Sequence, residues 1–197
     1  MKRTIASVAA IAALALPALA SAATWNIDPD HSNLGFKVRH LMVSNVKGSF
    51  EKHKGTVEID DKDITRSKVS VTIDTASVNT NVAKRDEHLR SADFFDAAKY
   101  PTMTFTSRKV AKAGKGKLKV TGDLTLRGVT RQVVLNVEGP ARESKDPWGN
   151  FRSGVVASTK INRKDFGLVY NAALETGGVA VGEDVDINLE IEMIKAK

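Results

Sequence analysis

From Glu183 to Lys195 apolar and polar residues alternate almost without a break. Val185, Ile187, Leu189, Ile191 and Met193 fall on one side; Asp186, Asn188, Glu190 and Glu192 fall on the other. Successive side chains of a β-strand point to opposite faces, so this stretch makes a strand with one dry face and one wet face. Gly116 to Arg127 repeats the pattern, with Leu118, Val120, Leu124 and Leu126 on the dry side. A short turn around Arg127-Gly128-Val129 then leads into Val133, Leu135 and Val137, which predicts a hairpin. Further strands are expected over 24–28, 32–42, 46–51, 55–60, 68–75, 102–110 and 151–162. Turn chemistry separates them at Lys54-Gly55, Ala113-Gly114-Lys115-Gly116, Asp146-Pro147-Trp148-Gly149 and Gly177-Gly178. About eight to ten short strands at this spacing indicate an antiparallel sandwich or barrel.

One region breaks the pattern. Asn81 is placed to cap a helix running through Arg90, with Asp86 and Arg90 four residues apart and able to pair on its surface. Leu89, Phe94 and Phe95 give it an apolar side, and Tyr100-Pro101 ends it. A single helical excursion in a β-domain covers an open end or an edge.

The N-terminus carries an export signal. Lys2 and Arg3 precede an uncharged, nearly all-apolar run from Ile5 to Ala20, and Ala20-Ser21-Ala22 supplies small residues in the spacing of a signal-peptidase site. The run is about 16 residues, short of the roughly 20 that a spanning helix needs. Residues 1–22 are therefore expected to be a signal peptide and residues 23–197 one domain, large enough to bury a core. Removing Lys2 and Arg3 leaves 28 basic against 23 acidic residues, scattered rather than clustered, which reads as a solvated surface and not a nucleic-acid interface. The chain has no cysteine, so neither disulfides nor thiol chemistry can contribute.

The motifs of catalysis are missing. His31, His40, His53 and His88 lack close metal-ligand spacing, and there is no nucleophile elbow, phosphate loop or dinucleotide fingerprint. Asp28, Asp30 and His31 around Pro29 read as a capped turn rather than a metal site. The inward face is large: Leu34, Phe36 and Val38, then Met103 and Phe105, then Leu124, Leu126, Val133 and Leu135. An eight-stranded barrel is just wide enough to be filled by side chains or to hold one small ligand, and period alone leaves both open. His40 shares the face of Phe36 and Val38, either as a hydrogen-bonded core residue or as a polar contact within a cavity.

Several runs resemble the YceI-like family. They are Thr24-Trp25-Asn26-Ile27-Asp28, then Phe36-Lys37-Val38-Arg39-His40-Leu41, and the stretch RDEHLRSADFFDAAKYPTMTFTS from Arg85 to Ser107. GDLTLRGVTR from Gly122, DPWG from Asp146 and NAALETGGVAVGEDVDI from Asn171 complete the match, which spans nearly the whole mature chain. The resemblance implies an all-β fold, an eight-stranded antiparallel lipocalin-like barrel with one short helical segment. It implies a periplasmic, non-enzymatic protein that binds a polyisoprenoid, an isoprenoid quinone or a similar long amphiphile for carriage, storage or sequestration. The ligand would be held by Phe36, Val38, His40, Arg85, His88, Phe94, Met103, Phe105, Leu124 and Leu126, with no further cofactor and no metal. Its partners would be the lipid and, transiently, a membrane or a membrane protein. An enzyme acting on such a lipid and a stress-related protein with a filled barrel are the alternatives. The export reading is checked by N-terminal sequencing. Mature protein released by osmotic shock should begin at Ala23 or Thr24, and a membrane-bound chain retaining Met1 would refute it.

Overall fold

The structure, a computed structural model, describes residues 22–175 and 177–197. The expected signal peptide lies, but for Ala22, outside the described residues. Twelve strands and one α-helix are described: β1 (Ala23–Ile27), β2 (Asn33–His40), β3 (Ser44–Phe50), β4 (His53–Ile59), β5 (Lys68–Asp74), β6 (Val78–Asn79), α1 (Ala83–Arg90), β7 (Thr102–Lys112), β8 (Lys117–Leu126), β9 (Val129–Glu138), β10 (Ser144–Lys145), β11 (Phe151–Asn162) and β12 (Val181–Lys195).

Eight of these strands close on themselves, in the order β1-β4-β5-β7-β8-β9-β11-β12, with β12 returning to β1. All pairings are antiparallel. β12 makes the closure. One edge pairs with β11 from Arg152↔Ile194 to Asn162↔Asp184. The other edge is divided: its last residues pair with β1, and Val181 to Glu190 pair with β2. β1 and β2 thus lie end to end along β12, interrupted by the 3₁₀ turn Pro29–His31. Asp28 caps that turn by accepting a hydrogen bond from the Asp30 amide at 3.1 Å, as its Asp-Pro sequence predicts. Beyond the interruption the sheet splits. β4 joins β1 and continues round the barrel, whereas β3 and then β6 join β2 and extend past it.

The alternating pattern sets the register. Arg127 and Gly128 both have left-handed φ (51° and 73°), making the two-residue hairpin turn between β8 and β9. Two departures have local causes. β7 carries an irregularity between Ser107 and Lys109, so Val110 faces inward with Met103 and Phe105 although it differs from them in parity. Lys54-Gly55, expected as a turn, lies inside β4, and the chain turns at Glu51-Lys52 instead. Gly55 serves close packing there: a Cβ would stand 2.5 Å from the Ser70 carbonyl oxygen and 3.0 Å from Ile27.

Most of the buried apolar residues fall in three groups. Trp25, Ile59 and Met193 pack near one end, Phe105, Val110, Val120, Val137 and Ala157 in the middle, and Phe94, Met103, Leu126, Phe166 and Leu168 toward the other end. Met193 is completely buried while Glu190, on the opposite face of β12, is exposed. Met193→Ala should therefore cost about 2–5 kcal/mol in denaturant unfolding. Glu190→Lys should stay within about 0.5 kcal/mol, and equal effects would contradict the register.

Candidate functional site

Much of the inward face is not in close-packed contact. Val38, Val69, Val71, Leu124, Val133, Leu135, Ile187 and Leu189 point inward yet are only half-buried. Protein interiors normally pack as densely as organic crystals, so such residues must front open space. They surround one apolar cavity of about 690 Å³, within the usual range of small-molecule sites. Small residues beneath large rings help shape it. The Phe105 ring lies over Gly122 and the Phe36 ring over Gly48, where an added Cβ would come within 2.4 and 2.5 Å of the respective ring.

All ten residues expected at the site line this cavity: Phe36, Val38, His40, Arg85, His88, Phe94, Met103, Phe105, Leu124 and Leu126. They are brought together from β2, β7, β8, α1 and the segment after α1. His40 lies beside the cavity at the end of β2, opposite Val181. The cavity also reaches past the closed barrel, bounded by Val46 and Phe50 of β3 on one side and Lys84 and Leu89 of α1 on the other.

The helical segment is built differently from its sequence pattern. Asn81 does not cap α1; its backbone is left-handed (φ 62°) and Val82 is the capping position, with no side-chain bond. Asp86 does not pair with Arg90. It is buried and accepts hydrogen bonds from the Thr80 amide (2.8 Å) and Thr80 Oγ1 (2.5 Å). Arg90 donates instead to the carbonyls of Ala76 (2.7 Å) and Val78 (2.9 Å). The reason is that backbone groups of β6 and the turn before it lie over the helix and need partners, which outweighs an exposed ion pair worth little in water. Arg85 joins this network through Nε to Thr80 Oγ1 at 2.7 Å and a second bond to the Thr80 carbonyl at 2.8 Å. His88 bonds Asp93 at 2.9 Å and sets its ring edge-on to Phe94 and Tyr170, with centroids 5.0 and 4.9 Å away.

Further site residues escape sequence reasoning. Arg39, Lys84, Arg163, Tyr170 and Val181 line the same end of the cavity. Arg163 is buried and ties the closing loop by donating to the carbonyls of Leu168, Val181 and Gly182. Burial pushes its pKa down, against the pull of Glu183. Arg39 and Val181 lie within family-like runs that do not single them out, and the pairing of β2 with β12 brings them to this end, while Lys84 arrives on α1. Among the described residues, those of fixed charge that line the cavity are all cationic: Arg39, Lys84, Arg85 and Arg163.

A second polar cluster is elsewhere. Asp28, His31 and Glu192 bring potential ligand atoms within 4.8 Å of one another. Arg152 already engages these carboxylates, donating to Asp28 at 2.7 Å and to Glu192, and also to Asp146 at 2.8 Å. Burial works to raise the Asp28 pKa, but the bonds from Arg152, His31 and the Asp30 amide hold it low. Asp146 falls to about 2, chiefly through Arg152. The cluster is an ion-pair network joining β1, β11 and β12.

The YceI-like domain family matches residues 25–193. A UPF0312 protein of Vibrio cholerae is 41% identical over 99% of this chain and 100% of its own length, and one of Photorhabdus laumondii is 42% identical over the full length of both. Among solved structures, a Campylobacter jejuni YceI protein superimposes with a TM-score of 0.69 at 37% identity, covering 80% of this chain and 90% of its own. BcnA of Burkholderia cenocepacia gives 0.72 at 24% identity, over 84% and 98%. A polyisoprenoid-binding domain from Saccharophagus degradans gives 0.63 at 18% identity, over 87% and 98%. The last two share the fold.

The wall of the cavity mouth should depend on the Asp86 network. Asp86→Ala leaves the Thr80 amide unsatisfied, so it should cost about 1–3 kcal/mol. Hydrogen exchange should speed up across α1 before it does in β8 and β9; uniform exchange along the chain would contradict this.

Proposed function

The chain belongs to the YceI-like family, and from that premise we propose that it binds a polyisoprenoid or similar long-chain amphiphile in its barrel without catalysing a reaction. The observation that carries the reading is the cavity: apolar along its length, with cationic groups gathered at the end beside α1. Burying an alkyl or prenyl chain gains about 0.8 kcal/mol per methylene-sized unit, so a deep apolar tube needs no special chemistry to hold one. The S. degradans neighbour is described as a polyisoprenoid-binding domain, which supports the same ligand class. A prenol, an isoprenoid quinone and a fatty amphiphile all have the required shape. The export signal makes the periplasm the compartment in which carriage, storage or sequestration would occur. No cofactor or metal is required for this role.

In this orientation the tail runs toward Ile64, Leu118 and Pro140 and the head group stays near Arg85 and His88. Mass spectrometry of organic extracts from protein purified out of its native periplasm should find a long-chain amphiphile. Leu124→Trp separates a ligand tube from a filled core. Leu124 fronts the cavity and is only half-buried, so the indole can occupy ligand space. Folding should survive while extractable lipid per protein falls. A close-packed interior would instead lose about 1–3 kcal/mol to overpacking, with no lipid to lose. Wild-type protein without lipid, unable to take up a prenyl probe and strongly destabilised by Leu124→Trp, would overturn the proposal.

A further inference from the structure

The turn between β2 and β3 presents three consecutive apolar side chains to solvent. Leu41, Met42 and Val43 are 40%, 50% and 75% exposed. Leu41 and Met42 also hold left-handed backbone (φ 49° and 60°), which is unfavourable for bulky residues and common only for glycine, asparagine and aspartate. The conformation is nevertheless fastened. The Leu41 amide donates to the Ala180 carbonyl at 2.8 Å, the Val43 amide to the His40 carbonyl at 3.1 Å, and Arg39 to the Met42 carbonyl at 2.7 Å. The tip is therefore a built feature that keeps apolar side chains in water.

Its position gives it a purpose. It adjoins His40, Arg39 and Ala180, which line the cavity, and Tyr170, on the same side of the cavity, contacts His88 of α1. Val82, Val169 and Tyr170 add exposed apolar surface to the same rim. The fixed charges that line the cavity here are Arg39, Lys84 and Arg85, while the exposed acids Glu87 and Asp93 on and after α1 do not line it. Apolar side chains projecting beyond a basic collar match the interfacial region of an anionic bilayer, where the chains enter the acyl boundary and the cations meet lipid phosphates. A second protein would satisfy the apolar tip but would not by itself account for cationic side chains lining the adjoining apolar cavity.

Resting on the carrier reading above, we infer that the rim formed by Leu41–Val43, α1, Val169, Tyr170 and Ala180 docks on an anionic phospholipid surface, so that a lipid passes between bilayer and cavity without crossing water. The test uses the mature protein and the Met42→Asp, Val43→Asp double variant; neither residue lines the cavity. Both proteins are sedimented with vesicles of phosphatidylcholine alone and with vesicles containing phosphatidylglycerol. Uptake of a fluorescent farnesol analogue is measured separately in vesicle-free buffer. Wild-type protein should bind the anionic vesicles roughly tenfold or more tightly than the neutral ones. The double variant should lose most of that binding while keeping its circular dichroism, melting temperature and farnesol uptake. Wild-type protein that stays in the supernatant with both vesicle types would overturn the inference, as would a variant that sediments like wild type. So would a concentration-dependent dimer, abolished by the same substitutions, in place of vesicle binding. Uptake without sedimentation removes the docking surface alone. Sedimentation without uptake removes the carrier reading and leaves a membrane-docking rim.

Discussion

The fold depends on the double pairing of β12. A twisted antiparallel sheet left open would expose hydrogen-bonding edges, and closure removes them. Here closure falls to the strand with the longest alternation, which bonds β11 along one edge and shares the other between β1 and β2. The sharing has a geometric consequence. Because β1 and β2 lie in line on β12 but take different outer partners, the sheet must divide at the Pro29–His31 turn. One branch completes the barrel. The other stands beyond it and, with α1, gives the cavity its continuation and its rim.

Arg152 secures that division electrostatically. Its guanidinium reaches carboxylates at the end of β1, in the turn before β11 and on β12. These bonds hold Asp28 and Asp146 ionised at low pH, with Asp146 at about 2. Both carboxyls have folded pKa values below their unfolded ones. Their contribution is therefore complete above the ordinary aspartate range and is lost as pH falls through the folded values. The network lies at the opposite end of β12 from the mouth, where Arg163, Arg85 and Arg90 instead donate to backbone carbonyls. One end of the molecule uses arginine to bridge acids. The other uses it to fasten loops, leaving the cavity rim without a balancing carboxylate among its lining residues.

Period-two alternation made most of the strands and the inward face legible, because register slips by one residue would expose every apolar side chain. The hairpin at Arg127-Gly128 and the capped turn at Asp28 were legible for equally local reasons. What was not legible depends on distant partners. Gly55 looks like a turn residue but is required by the approach of the Ser70 carbonyl and Ile27. Asp86 and Arg90 have helix-pair spacing, yet Thr80, Ala76 and Val78 claim them. The ten expected site residues do meet around one cavity, whereas Arg39, Arg163 and Tyr170 reach it through the β2–β12 pairing and the loop beside it, and Lys84 reaches it on α1.

Alternation alone favours a filled core and only the family resemblance points to a ligand tube; the inward glycines help to distinguish them. In a solid core, Phe36 and Phe105 would project toward the axis and fill it. Gly48 and Gly122 instead let these rings lie back against the wall. The volume released is apolar, and the groups that line it lack protein dispersion contacts on the cavity side. A chain without disulfides has no covalent reserve against that loss. A bound amphiphile would restore those contacts and, by binding the folded state alone, raise its stability in proportion to the logarithm of ligand concentration over Kd. On the carrier proposal, the features that make the empty barrel less stable are therefore the ones that make its lipid complex favourable.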